Sequence, residues 1–525
     1  MGKHSSLSAA DCREGTADEP ACGSGETTGD VTVTTPGRLT SNSPSYVLTV
    51  ADREFIDSRA SMRSVRQGNL ILAIMLCITT TLAVSAQTVT TLANFDGTNG
   101  AYPADVQLIQ GPDGNLYGAT AAGGVYGFGT IFKLAPNAGL TTLYNFTNGN
   151  DSGGPNGLVL DTDGDLYGTT VDAGFGHVWG TAFKITTSGE FTVLHTFLGW
   201  PNEGGQANAL ILGPDGALFG TTYYGGTGNA CAHYGCGTVF KMTSSGQVTT
   251  LHSFNKTDGK NPGGRLTLGR DGNFYGTTEY GGEGDHGTVF KITPDGKLTT
   301  LHSNLFPYGD GVVQATDGNI YGTTFGGAYR AGSVYRVTPS GVFTVLYSFC
   351  EQQYPCPDGA DPADLIQATD GYLYGTAYYG GPWGQGTIYR FSLAGAYTKL
   401  YDFRAEVGGI NPASALLQAT TGDFYGTTEH HGTESRGTVF GLSMGLGPFV
   451  AFVHNPAKAG THFGILGQGL TGTINVALNG TPVSFTVKSD TLIVARVPTD
   501  ARSGYVSVTT PAGTLTSNVP FYGIQ

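Results

Sequence analysis

A chain of 525 residues with 39% hydrophobic and 11% aromatic side chains is too long for one ordinary domain and too apolar to be disordered by composition. Its 84 glycines, more than twice the usual share of about 7%, and its 13% of charged residues fit short strands joined by tight turns rather than long amphipathic helices. The formal net charge of −14 argues against a nucleic-acid partner, which would need a basic footprint.

Residues 1–61 are polar, rich in Ser, Thr and Gly, and without hydrophobic period; they read as a disordered extension or as sequence upstream of a true start at Met62. From Met62 the chain runs through Arg63 and Arg66 into the apolar stretch Leu70–Val84 and reaches Ala86 before Gln87. That order predicts a signal peptide over 62–86, cleaved after Ala86. A single uncleaved anchor is the alternative, disfavoured because the run is short and carries Thr79, Thr80 and Thr81. Cys77 follows Leu76 in mid-run, which argues against a lipoprotein cysteine. The expected location is therefore secreted, periplasmic or at the cell surface.

After residue 87 an aromatic-Gly pair recurs at Tyr117, Tyr167, Phe219, Tyr275, Tyr321, Tyr374 and Tyr425, spaced 46 to 56 residues apart. Each copy has the same order of parts. An apolar run such as Val106-Gln107-Leu108-Ile109 comes first, then an Asp-Gly turn at Asp113, Asp163, Asp215, Asp271, Asp317 and Asp370, with Thr421-Gly422 in the seventh copy. Asp-Gly between apolar runs is a strong hairpin signal, because glycine accepts positive φ. The aromatic-Gly-Thr-Thr strand follows, then a Gly-rich loop, a Gly-Thr-Val-Phe-type strand, a turn, and a Thr-x-Leu-x-x-Phe strand. Four strands per repeat make one propeller blade. The seventh copy stops after Val439-Phe440, and the missing last strand stands at the front as Thr90-Thr91-Leu92-Ala93-Asn94-Phe95. The fold predicted for residues 87–444 is therefore a seven-bladed β-propeller whose N-terminal strand closes the ring, since an open ring would expose a sheet edge.

Residues 88–443 resemble the tandem GloVer repeat of bacterial exported proteins, on the unit Asp-Gly-x-aromatic-Tyr-Gly-Thr-Thr…Gly-Gly…Gly-Thr-Val-Phe. The resemblance implies an extracytoplasmic, repeat-built propeller and no catalytic residues. The tail over 445–525 alternates in short strands such as Val476-Ala477-Leu478 and Val506-Ser507-Val508, which predicts a small β-sandwich. It is similar to the IPT/TIG immunoglobulin-like module, which in extracellular bacterial proteins implies a spacer or adhesive unit.

Four of seven cysteines fall in the expected mature chain, as the close pairs Cys231/Cys236 and Cys350/Cys356. In an exported protein these read as loop-stapling disulfides rather than zinc ligands. No catalytic, cofactor or metal residues are assigned. The repeated aspartates are equivalent turn residues. Asp161-Thr162-Asp163-Gly164-Asp165 lacks the closing glutamate of a calcium loop. Gly281-Gly282-Glu283-Gly284-Asp285 reads as a loop, His430-His431 as a solvated loop, and His195, His252 and His302 as half-buried strand positions that hold Tyr in other copies. The loops between second and third strands share one ring face with the connections between blades, and that face is the expected binding surface, through Trp200, Tyr223, Tyr224, Tyr378, Tyr379 and Trp383. The inner runs offer glutamine and aliphatics with little ionisable density, which disfavours an enzyme. The expected function is a non-enzymatic binding or adhesion platform for a protein or carbohydrate. A carbohydrate-active propeller enzyme and a structural cell-envelope protein are the alternatives.

Overall fold

The computed structural model describes residues 88–524 apart from 104–106, 136–138, 173–178, 202, 228–229, 232–233, 305–310, 327–328, 352–355 and 501. The predicted extension and signal peptide lie outside the described residues. The fold is all-β; among the described residues helical turns occur at Ala405–Gly408 and Glu283–Asp285.

Antiparallel sheets follow one another along the chain at 109–145, 153–196, 205–253, 260–303, 312–348, 360–402 and 417–443. The first strand of the third sheet is broken into Gly205–Ala207 and Ile211–Leu212, and that of the sixth into Ala360–Pro362 and Ile366–Gln367. The sheet at 417–443 takes its fourth strand from Thr88–Asn94, which pairs antiparallel with Thr438–Ser443, from Thr88 opposite Ser443 to Asn94 opposite Thr438.

The repeat's residue choices have local causes. The glycine of the aromatic-Gly pair lies under the aromatic ring of the next strand: a Cβ on Gly276 would stand 2.7 Å from Phe290 Cζ. The turn aspartates accept hydrogen bonds from the tyrosine four residues on, Tyr117 to Asp113 at 2.8 Å, Tyr275 to Asp271 at 2.9 Å, Tyr321 to Asp317 at 2.8 Å and Tyr374 to Asp370 at 2.8 Å. Asp and Tyr thus specify one another within these four copies. Threonine hydroxyls pair across the two middle strands in the buried interior, as in Thr222–Thr238 at 2.7 Å and Thr428–Thr438 at 2.8 Å. A hydroxyl there satisfies its own buried partner, which a valine could not do.

The core lies between successive sheets, where aromatics from neighbours stack, Phe219 on Phe274 at 4.3 Å and Tyr374 on Phe424 at 4.5 Å. A glutamine ending the first strand clasps the turn of the preceding sheet. The backbone N–H of Arg270 donates to Gln314 Oε1 at 2.8 Å, that of Thr316 to Gln367 Oε1 at 2.7 Å, and that of Thr369 to Gln418 Oε1 at 3.0 Å. The same joint links the last sheet to the first: Thr420 N–H donates to Gln110 Oε1 at 2.9 Å, and Gln110 Nε2 donates to Thr420 Oγ1 at 2.9 Å.

The C-terminal segment forms two four-stranded antiparallel sheets around one core that includes Phe463, Ile465, Val476, Ile493, Val508 and Phe521. It rests on the Asp-Gly turns of the repeats. Phe449 N–H donates to Thr420 O at 3.1 Å, Lys458 N–H to Pro214 O at 3.1 Å and Ser489 Oγ to Pro112 O at 3.0 Å, while Arg270 lies over the Tyr522 ring at 5.2 Å.

Candidate binding face and central well

Strand direction alternates within each sheet, so the Asp-Gly turns lie on one side and the loops between second and third strands lie on the other with the connections between sheets. The C-terminal segment occupies the first side. On the second, large apolar side chains are exposed: eleven of the fifteen among the described residues lie there, including Tyr126, Phe128, Tyr234, Tyr280, Phe325 and Tyr329. Single exposed apolar residues are ordinary, but here they are concentrated on one face.

The six aromatics expected there divide into two groups. Trp200, Tyr379 and Trp383 are 47%, 50% and 51% exposed, and Arg404 lies over the Trp383 ring at 5.2 Å. Tyr223 and Tyr378 are half-buried and turn toward the next sheet, their hydroxyls donating to Glu279 Oε2 at 2.7 Å and Glu429 Oε2 at 2.6 Å. Tyr224 packs edge-on against Tyr223 at 4.8 Å and Trp179 at 6.0 Å. Both expected disulfides are present, Cys231–Cys236 in a loop between second and third strands and Cys350–Cys356 in a connection between sheets.

A well of about 340 Å³ is lined by residues of several sheets, Asn156, Asn208, Tyr223, Arg265, Glu279 and Asp364 among others. Arg265 and Asp364 also line a second cavity of about 410 Å³, which Phe452, Val453 and Asn455 of the C-terminal segment border. Burial pushes the Glu279 carboxyl above its usual range, against the pull of the Tyr223 hydroxyl. Burial raises Asp364 too, opposed by the charge of Arg265 and by the Gly311 N–H that donates to it at 2.6 Å. These ionisable groups correct the expectation of an inner surface poor in charge. They come from different repeats, and the charge of Arg265 reaches Asp364 through space.

The remaining candidates are held by protein partners. Asp161 Oδ1 accepts the N–H groups of Asp163 and Asp165, and Lys184 Nζ sits 2.5 Å from Asp165, where a calcium ion would have to lie. Asp285 accepts Gly281 N–H at 2.9 Å. His195 pairs with Glu203 at 2.8 Å and His252 with Asp258 at 2.9 Å; in other copies Tyr144 donates to Asp151 at 3.0 Å and Tyr347 to Asp358 at 2.7 Å. In these four copies His and Tyr alternate because either can bond the acid of the following connection. His302 stacks on Phe343 at 4.0 Å, and His430 lies 3.6 Å from Glu429. Among the described residues no three His, Cys, Asp or Glu side chains are grouped to hold a metal.

The chain is similar in structure to a fungal alcohol oxidase of the AA5 family in complex with copper, at 13% identity and TM-score 0.43, covering 83% of this chain and 99% of that one. It is also similar to the extracellular domain of a one component system from B. thetaiotaomicron, at 11% identity and TM-score 0.46, covering 82% of this chain and 48% of that one. A gluconolactonase from Xanthomonas campestris follows at 12% identity and TM-score 0.36, covering 69% and 93%. Likeness at this level says nothing about activity. The sequence matches none of the curated proteins. Residues 78–234, 172–307 and 307–473 each match the Gloeobacter/Verrucomicrobia repeat, together more than half of the chain. The chain therefore belongs to the Gloeobacter/Verrucomicrobia repeat family.

Proposed function

We propose that this is an exported, non-enzymatic binding protein. It is a seven-bladed β-propeller closed by its N-terminal strand, carrying an IPT/TIG-like module on one face and presenting an aromatic rim to carbohydrate on the other. The observation that carries the reading is the concentration of exposed Tyr, Trp and Phe on the face that the C-terminal segment leaves free. Flat aromatic faces supply apolar area with little conformational entropy to lose, and they suit the faces of sugar rings. Closure is supported by the Gln110 joint, which has the same chemistry as the joints at Gln314, Gln367 and Gln418. Export is supported by the order of parts over 62–86 and by two disulfides, which persist in oxidising compartments.

A glycan array together with a hydrolysis screen on the full chain tests the proposal. Saturable binding without turnover, weakened about tenfold or more by Trp200→Ala with Trp383→Ala, is expected; binding unchanged in that variant refutes the rim. A second reading, a carbohydrate-active enzyme, is favoured by one observation: Arg265, Glu279 and Asp364 share the central well. Turnover abolished by Glu279→Gln or Asp364→Asn would establish it instead.

A further inference from the structure

The well contains a cation, Arg265, that faces the charge of Asp364 across the space. Arg265 donates no hydrogen bond to any described residue, and no described carboxylate lies within ion-pair distance of its guanidinium. The nearest opposing charge, Asp364, already accepts the Gly311 N–H at 2.6 Å, and Glu279 accepts from Tyr223 at 2.7 Å. Arg265 is half-buried and lines the well, where an entering ligand can meet the fork of donors it carries. The planar, bidentate geometry of that fork matches a carboxylate.

We infer that Arg265 anchors the carboxylate of a small hydroxylated acid, of the size and chemistry of a hexuronate, in the central well. The neutral groups around it suit the rest of such a ligand: the Asn156 amide and the Asn208 amide oxygen are partners for hydroxyl groups, and Tyr223 lines the same well. Asn208 Nδ2 is committed to Pro262 O at 2.8 Å and Thr221 Oγ1 at 2.8 Å, which holds its amide in place. The well's volume of about 340 Å³ is at the small end for ligand sites, enough for one sugar acid rather than a chain. The net charge of −14 opposes an anion at long range, but salt screens that field beyond about 8 Å, so contacts inside the well decide the outcome. The inference goes beyond the rim: it concerns a different place and ligand, and either could fail alone.

The test is calorimetric titration of the full chain with glucuronate, glucose and inorganic phosphate. Glucuronate is expected to bind most tightly, glucose roughly ten- to a hundred-fold more weakly, and Arg265→Gln to abolish the difference. Phosphate binding as tightly as glucuronate would reduce the site to a general oxyanion site and overturn the assignment to a sugar acid. Asp364→Asn separates the inference from a structural role. If Arg265 serves only as a counter-charge for Asp364, that variant leaves glucuronate unbound; if Arg265 is an anchor, removing the competing carboxylate tightens glucuronate binding severalfold. Equal affinity for glucuronate and glucose overturns the inference, as does glucuronate binding unchanged in Arg265→Gln.

Discussion

Gln110→Ala is the sharpest probe of the joint between the first sheet and the last. Gln110 is 7% exposed, and its side chain makes two hydrogen bonds to Thr420, which is fully buried. Truncation leaves the Thr420 N–H without a partner out of water, at about 1–3 kcal/mol, and opens space worth about 1 kcal/mol more, so the cost is about 2–4 kcal/mol. Gln367→Ala removes the same contacts, to Thr316 N–H and Oγ1, between neighbouring sheets in mid-chain, at a more exposed position. It should cost about 1–2 kcal/mol. Urea denaturation followed by far-UV circular dichroism, with both variants beside the unaltered chain, compares the joints directly. Gln110→Ala is expected to lower the midpoint at least as far as Gln367→Ala. If Gln110→Ala falls within about 0.5 kcal/mol of the unaltered chain while Gln367→Ala is clearly weakened, the first and last sheets do not meet in solution.

Deleting residues 88–94 leaves the Thr438–Ser443 edge bare, and light scattering should report aggregation with a broadened thermal transition; an unchanged melt would count against closure. Gly276→Ala drives a methyl to 2.7 Å from Phe290 Cζ and should cost about 1–3 kcal/mol, whereas Gly447→Ala, with open space around it, should shift the melting temperature little. Burial pushes the Asp361 carboxyl up to about 6 from 3.8, so its contribution is complete below the lower value and is lost as pH rises through the upper one. Asp361→Asn should therefore stabilise the fold at pH 7.5 by about 1 kcal/mol after solvent screening, and less at pH 4.5; an equal effect at both pH values refutes this. His454 is buried and its Nε2 has no partner among the described residues. Burial lowers its pKa below 6.5, so its contribution is complete above 6.5 and is lost as pH falls. Melting temperature should drop between pH 7.5 and 5, and His454→Leu should flatten that slope.

What could be read from the sequence was whatever the chain settles within one repeat. Asp113 finds Tyr117 four residues away, and Gly118 makes room for Phe132 on the adjoining strand, so each pattern recurs visibly. The displaced last strand was also legible, because counting strands leaves one over at Thr90–Phe95. The glutamine joints were not, since Gln110 meets Thr420 across 310 positions and a lone glutamine in an apolar run carries no local signal. The well was hidden for the same reason: Arg265 and Asp364 sit in different repeats and converge only through the curvature of the assembled sheets. Exposure could not be read either. Tyr378 and Tyr379 are adjacent in sequence, yet the first bonds Glu429 and the second faces solvent.

The pairing of Thr88 with Ser443 has a mechanical corollary. The chain enters this ladder at Thr88 and leaves it at Ser443, so both exits lie at the same end of two antiparallel strands. Tension between Thr88 and the C-terminal segment would load the rungs one after another, as in opening a zip, rather than all together as in shear. The sheet at 417–443 would then give way first, and a protein tethered by those two exits would release at low force while the other sheets kept their strands.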